Sequence, residues 1–120
     1  GAGLSSTVED YAKFLQVFLN RGTFNGTRLL SRKTVELILT DQLPNLDREF
    51  GLGFGLETTK NDYDSPASIG SFSWGGAFST DYWADPKERI IGLIYTNIYN
   101  NPDGSLSDKF KVLTYQAVSD

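Results

Sequence analysis

Apolar side chains recur at Val8, Tyr11, Ala12, Leu15, Phe18 and Leu19, the i, i+3, i+4, i+7 spacing that lines one face of an α-helix. Ser6-Thr7-Val8-Glu9 just before them fits a capping box, in which the Ser6 hydroxyl and the Glu9 carboxylate each satisfy an orphan amide of the first turn. Gly22 is placed to end the helix in a left-handed cap, so the pattern predicts helix from Thr7 to about Arg21. Gly22 to Thr27 is turn chemistry, because Gly and Asn tolerate positive φ. It leads through Leu29-Leu30 to Ser31, an N-cap for a short second helix from Arg32 to about Thr40 with Val35, Ile38 and Leu39 on its buried side. Pro44 and the polar residues after it close that helix off.

The period then changes. Gly51, Gly53 and Gly55 alternate with Leu52, Phe54 and Leu56, which predicts a strand with one bare face and something packed closely over it. Residues 60–68 are polar with a proline and read as a loop. Three apolar segments, Ile69–Trp74, Ala77–Trp83 and Arg89–Asn97, are separated by Gly75-Gly76 and by Asp85-Pro86-Lys87-Glu88, and predict an antiparallel meander. Ile90 to Tyr95 is apolar on both faces, the mark of a central strand covered on two sides. Its cover is expected to include a final helix capped by Ser105 or Ser107, with Phe110, Leu113, Thr114 and Ala117 on one face. The expected class is α+β in a single domain, 1–120: a helical part at 1–45, antiparallel strands at 50–98 forming a sheet of about three to four strands, and a C-terminal helix at 105–119.

Composition narrows the chemistry. The 120 residues contain no Cys and no His, which excludes any Ser-His-Asp, Cys-His or His-zinc mechanism contained within them. A formal charge of -4 offers no basic stripe for a phosphate backbone, so nucleic acid is not an expected partner. The apolar run Ile90–Tyr95 is far short of the ~20 residues that span a bilayer. Asn61-Asp62-Tyr63-Asp64 hints at calcium-ligand spacing but lacks the glycine and distant glutamate of such a loop. No cofactor and no metal is expected.

Several segments in fixed order carry a resemblance: Gly3-Leu4-Ser5-Ser6-Thr7, Asn25-Gly26-Thr27-Arg28-Leu29-Leu30-Ser31, Phe50-Gly51-Leu52-Gly53-Phe54-Gly55 and Trp74-Gly75-Gly76-Ala77. The stretch from Trp74 through Thr80 to Trp83-Ala84-Asp85-Pro86-Lys87-Glu88 and Ile91-Gly92-Leu93 is the most specific. The pattern resembles the C-terminal part of the class C beta-lactamase-like family, which includes penicillin-binding proteins, D-amino-acid peptidases and esterases. That resemblance implies a partial beta-lactamase/transpeptidase-like fold, an antiparallel sheet flanked by helices and packed against a helical region, with the active site in the groove between them. It also implies three motifs: a Ser-x-x-Lys nucleophile, a Tyr-x-Asn or Tyr-x-Ser, and a Lys-Thr-Gly type triplet.

Trp74-Gly75-Gly76 stands where that triplet would stand, as a substrate-binding strand, and the resemblance gives the Ala77 amide to the oxyanion hole. No serine in the chain has Lys three residues later. Tyr95-Thr96-Asn97 and Tyr99-Asn100-Asn101 fit the second motif but fall after the triplet, out of the family's order, and are read as chance. Trp74 and Gly75 replace the ammonium and hydroxyl that would bind a carboxylate, which shifts the expected substrate from a beta-lactam towards a small ester or amide. Without the flanks, Gly75-Gly76 reads as a simple bulge or tight turn. Ser73 and Ser79 read as ordinary strand serines, and Phe72, Phe78, Tyr82 and Trp83 as core or groove wall. The expectation is a C-terminal portion of a serine hydrolase, inactive alone, whose partner is the missing N-terminal part of the same hydrolase. Apolar surface left bare where that part would dock leads to expected self-association. The alternative is a non-catalytic binding or interaction module that keeps part of the fold.

Overall fold

The computed structural model describes residues 4–119. Gly3, which opens the first of the resemblance segments, lies outside the described residues. Helix α1, Val8–Leu19, is capped by Thr7, whose Oγ1 accepts from the Asp10 amide at 3.2 Å. The cap is thus one residue later than Ser6, whose hydroxyl donates to the Thr7 carbonyl instead. With Thr7 as cap, Glu9 and Asp10 both fall in the first turn, where the helix dipole favours negative charge. At the other end the Gly22 amide donates to Val17 O at 2.7 Å and the Arg21 amide to Phe18 O at 3.0 Å, the paired bonds of a Schellman motif. Arg21, with φ 53°, takes the left-handed position expected of Gly22. Gly22 is left-handed as well, at φ 97°, and is required twice over, since a Cβ there would stand 2.1 Å from Leu30 O.

Strands β1, Thr23–Phe24, and β2, Thr27–Arg28, form a hairpin around Asn25 and Gly26, both at positive φ as a primed two-residue turn demands. Helix α2, Arg32–Ile38, starts at Ser31, whose Oγ accepts from the Thr34 amide at 3.0 Å. The glycine alternation that followed predicted a strand over 51–56, yet only β3, Gly55–Leu56, is extended and paired. Gly51 to Phe54 turns back on itself, with the Gly51 amide donating to Phe54 O and the Leu52 amide to Ile38 O. The close neighbour of the bare face is that same carbonyl, 2.1 Å from where a Gly51 Cβ would lie. Docking onto the end of α2 takes the backbone bonds that a ladder would need.

Strands β4, Phe72–Gly75, β5, Asp81–Asp85, and β6, Ile90–Ile94, complete an antiparallel sheet in the order β3-β4-β5-β6. The register sets Phe72 beside Ala84 and Ile91, and Trp74 beside Tyr82 and Leu93, on one face. Alternation puts Trp83 and Asp85 on the other. Helix α1 covers the first face through Phe18 on Phe72 at 5.8 Å and Tyr11 on Tyr82 at 4.8 Å. Helix α3, Leu106–Gln116, covers the second through Phe110, edge-on to Trp83 at 5.4 Å, and Tyr115 at 6.4 Å. The result is a three-layer α+β unit whose core joins Leu15, Phe18 and Leu19 of α1 to Val35, Phe54, Leu56, Phe72 and Ala84. Phe18, Phe54 and Phe72 meet pairwise edge-to-face at 5.0–5.8 Å, an arrangement worth roughly 0.5–1.5 kcal/mol per pair beyond area burial.

Two expectations about this sheet change. Ile90 to Ile94 is covered on both faces, by α1 and α3, but among the described residues it is an edge strand rather than a central one. In α3 the face is rotated: Leu113 is 64% exposed and Ala117 exposed, while Phe110, Thr114 and Tyr115 turn inward. Tyr115 sets that rotation, because its hydroxyl donates to Asp85 Oδ2 at 2.7 Å. Asp85 is fully buried and accepts three further bonds, from the amides of Ser68, Lys87 and Glu88. One carboxylate therefore ties the loop before β4, the turn between β5 and β6, and α3 together. Ser105 occupies the cap position of α3 without a side-chain cap bond, and its amide and hydroxyl both donate to Asp103 Oδ1.

Candidate functional site

Trp74, Gly75 and Gly76 run off the end of β4 into the β4–β5 connection. The predicted strand at 77–83 begins only at Asp81, because Ala77 to Thr80 makes the turn. The Ser79 amide donates to Gly76 O at 3.0 Å and the Gly76 amide to Thr80 O at 2.8 Å, with Ser79 left-handed at φ 57°. This is a three-residue hairpin loop with a bulge, carrying serine where glycine is usual. Two hydroxyls hold it. Ser79 Oγ donates to Ile98 O at 3.0 Å, and Thr96 Oγ1 donates to Phe78 O. Phe78 packs on Tyr99 at 5.6 Å. The chain beyond β6 thus pins the tip of the hairpin, and Ser79 is a positioning residue for the turn rather than an ordinary strand serine.

Trp74 is 51% exposed, edge-on to Phe50 at 5.0 Å, on the sheet face that carries α1. Gly75, Gly76 and Ala77 are all exposed. Neither the Ala77 nor the Phe78 amide finds an acceptor among the described residues, so both remain available to an incoming oxygen. A Cβ at Gly75 would make only ordinary contacts, 3.6 Å from Thr80 O and 3.9 Å from Asp81 Oδ1, whereas at Gly76 it would stand 2.4 Å from Thr80 Oγ1. Packing within the chain therefore accounts for the bare Gly76 but not for the bare Gly75. Behind the triplet a cleft of about 230 Å³ opens between Gly75, Gly76, Asp81, Asp103 and Ser107. Asp81 is committed there: its Oδ2 accepts from the Ser107 hydroxyl and its Oδ1 from the Tyr82 amide.

The remaining candidates have structural placements. Phe72 and Trp83 are core, Tyr82 is half-buried and Phe78 lies exposed on the hairpin tip. Burial, and then the neighbouring Tyr11 hydroxyl, push the Tyr82 phenol far above the tyrosine range, and burial raises that of Tyr95. Both phenols stay protonated at neutral pH. Tyr95 closes an aromatic group with Tyr11 at 6.4 Å. Asn61 spends its amide on its own loop, accepting from the Thr58 amide at 2.7 Å and donating to Leu56 O at 2.9 Å. Nothing in the sequence pattern marks the Asp85–Tyr115 bond, the Ser107–Asp81 bond or the two hydroxyls on the hairpin, since each joins residues distant along the chain.

The chain is similar to known proteins along most of its length. The family model described as Beta-lactamase matches residues 1–116. Protein Rv1367c of Mycobacterium tuberculosis is 35% identical over 122 residues, covering 88% of this chain and 30% of its own length. A putative D-alanyl-D-alanine carboxypeptidase of Salmonella typhi is 31% identical over 107 residues, covering 84% of this chain and 24% of its own. Among solved structures, simvastatin synthase (LovD) from Aspergillus terreus superposes with a TM-score of 0.69 at 24% identity, over 92% of this chain and 34% of that one. The chain spans about a third or less of the length of each. With the matched residues running through α1, the sheet and α3 alike, this chain is a member of the beta-lactamase family.

Proposed function

We propose that the chain forms one wall of the active-site groove of a serine acyl hydrolase. Trp74-Gly75-Gly76 is the strand along which the substrate's acyl group lies, and the Ala77 amide is one donor of the oxyanion hole. The observation that carries this reading is the bare, exposed Gly75 beside an Ala77 amide that has no acceptor among the described residues. A donor preset at the place where negative charge develops is worth roughly 3 kcal/mol to acyl transfer. The nucleophile, its lysine and the second oxyanion donor come from outside these residues, since no Ser-x-x-Lys occurs here. Alone, the chain is inactive.

Trp74 supplies an apolar or stacking wall where an ammonium would otherwise bind a carboxylate, which favours a small ester or amide over a beta-lactam. The partner that completes the groove is the N-terminal part of the same hydrolase. The open edge of β6 and the exposed Val112 and Leu113 of α3 are surfaces suited to it. The test is hydrolysis of p-nitrophenyl acetate and of a chromogenic cephalosporin, by this chain and by the chain extended through its upstream reading frame. Ester turnover only in the extended protein, lost with its Ser-x-x-Lys serine, is expected. Turnover by the 120 residues alone would point to another site, and turnover by neither to a non-catalytic binding module.

A further inference from the structure

On the flank of the molecule formed by α1, α2 and the β5–β6 turn lies a second cleft, of about 440 Å³. Its apolar side is made by Phe18, Leu19, Val35 and Leu39, the first three of them 4–7% exposed. Arg21, Arg32 and Arg89 line it as well. Among the described residues the one carboxylate lining it is Glu36, already shared between Arg32 and Lys33. Arg89 donates one bond to Asn20 Oδ1 at 3.2 Å, and the Arg21 guanidinium has no acceptor among the described residues. A chain of net charge -4 thus gathers a local positive surplus over an apolar floor.

The backbone adds an independent reason to look here. Arg21 and Arg89 both sit in the left-handed region, at φ 53° and 58°, one closing a helix and the other closing a hairpin. These are positions that glycine or asparagine fills with far less strain. Strain held at two residues that line one cleft calls for a use of their side chains. We propose that this cleft binds a small amphipathic carboxylate. Arg21 and Arg89 hold the anionic head by charge-assisted hydrogen bonds, and the aliphatic tail lies on Phe18, Leu19, Val35 and Leu39. The inference does not depend on the hydrolase reading, because none of these residues belongs to the triplet or its turn.

The experiment is an NMR titration of the ¹⁵N-labelled upstream-extended protein with octanoate, octanol and acetate. Octanoate is expected to shift amides confined to residues 18–22, 32–40 and 86–89, and to bind at least about ten-fold more tightly than octanol, which lacks the charge, or acetate, which lacks the tail. Arg21→Gly and Arg89→Gly should each weaken octanoate about ten-fold, the loss of one charged hydrogen bond, with thermal midpoints unchanged or raised because the backbone is relieved. Arg48→Gly, away from the cleft, should leave affinity unaltered. Equal binding of octanol, shifts centred on the exposed face of α3 instead, or full affinity in the Arg21→Gly chain would each overturn the proposal.

Discussion

At Asp85 a carboxylate with no exposure stays charged because four hydrogen bonds reach it. Burial is the largest single influence and opposes ionisation, yet the Ser68 and Glu88 amides and the Tyr115 hydroxyl outweigh it and hold the carboxyl below its ordinary value. Asp85→Asn turns one acceptor into a donor facing the Ser68 amide and should cost about 3 kcal/mol in urea unfolding. Because the folded pKa is depressed, the stabilisation is present above about pH 4 and is lost as pH falls through the folded value. The Asn variant should therefore show a flatter fall in stability below that pH than the parent chain. Glu57 has the opposite sign: burial raises its carboxyl, and its Oε1 has no hydrogen-bond partner. A charge that folding disfavours costs stability at neutral pH, so Glu57→Gln should raise the thermal midpoint at pH 7, with the gain shrinking as pH falls. Gly75→Ala should leave the fold intact, since its Cβ meets only ordinary contacts, while abolishing most of the ester turnover proposed for the upstream-extended protein. Wild-type turnover in that variant would remove Gly75 from the groove. The residue types at the triplet were legible in the sequence. The hydroxyls of Ser79 and Thr96 were not, because their acceptors lie 19 and 18 residues away along the chain.

Among the elements, the β5–β6 pair shows how one missing side chain shapes a strand. Gly92 lies directly across from Trp83, and a Cβ at Gly92 would fall 2.2 Å from the indole. Overpacking of that kind in a rigid core should make Gly92→Ala lose about 3 kcal/mol, read as a lowered urea midpoint at unchanged slope. The first two helices were readable because period and caps are local properties, whereas the face of α3 was turned by Tyr115. Ser31 and the face of Leu15, Phe18 and Leu19 stand where the pattern placed them, and α1 differs at its start by one residue, between two adjacent hydroxyl residues. The strands were read less well. The glycine alternation at 51–56 has the period of a strand, but the end of α2 captured the Leu52 amide and the Gly51 amide turned back to Phe54 O, and a local pattern carries no record of those competitors.

For the molecule as a whole, β6 is the element out of place. Its sequence is that of an interior strand and both its faces are covered, yet one edge has no neighbour among the described residues. An apolar, uncharged edge invites another strand, and exposed Val112, Leu113 and Val118 on and just beyond α3 add apolar surface beside it. Sedimentation velocity on this chain should show association that grows with concentration, and the upstream-extended protein should remain a single species over the same range. The sequence by itself determined the first two helices, the class of fold and the lack of His and Cys among these 120 residues, since these rest on local periodicity, caps and composition. Only the tertiary structure decided which glycine is bare for the fold's sake and which is not, that Asp85 holds three segments together, and that two arginines at positive φ line one apolar cleft. Those properties arise from contacts between residues far apart along the chain, and only folding brings them within a hydrogen bond's length.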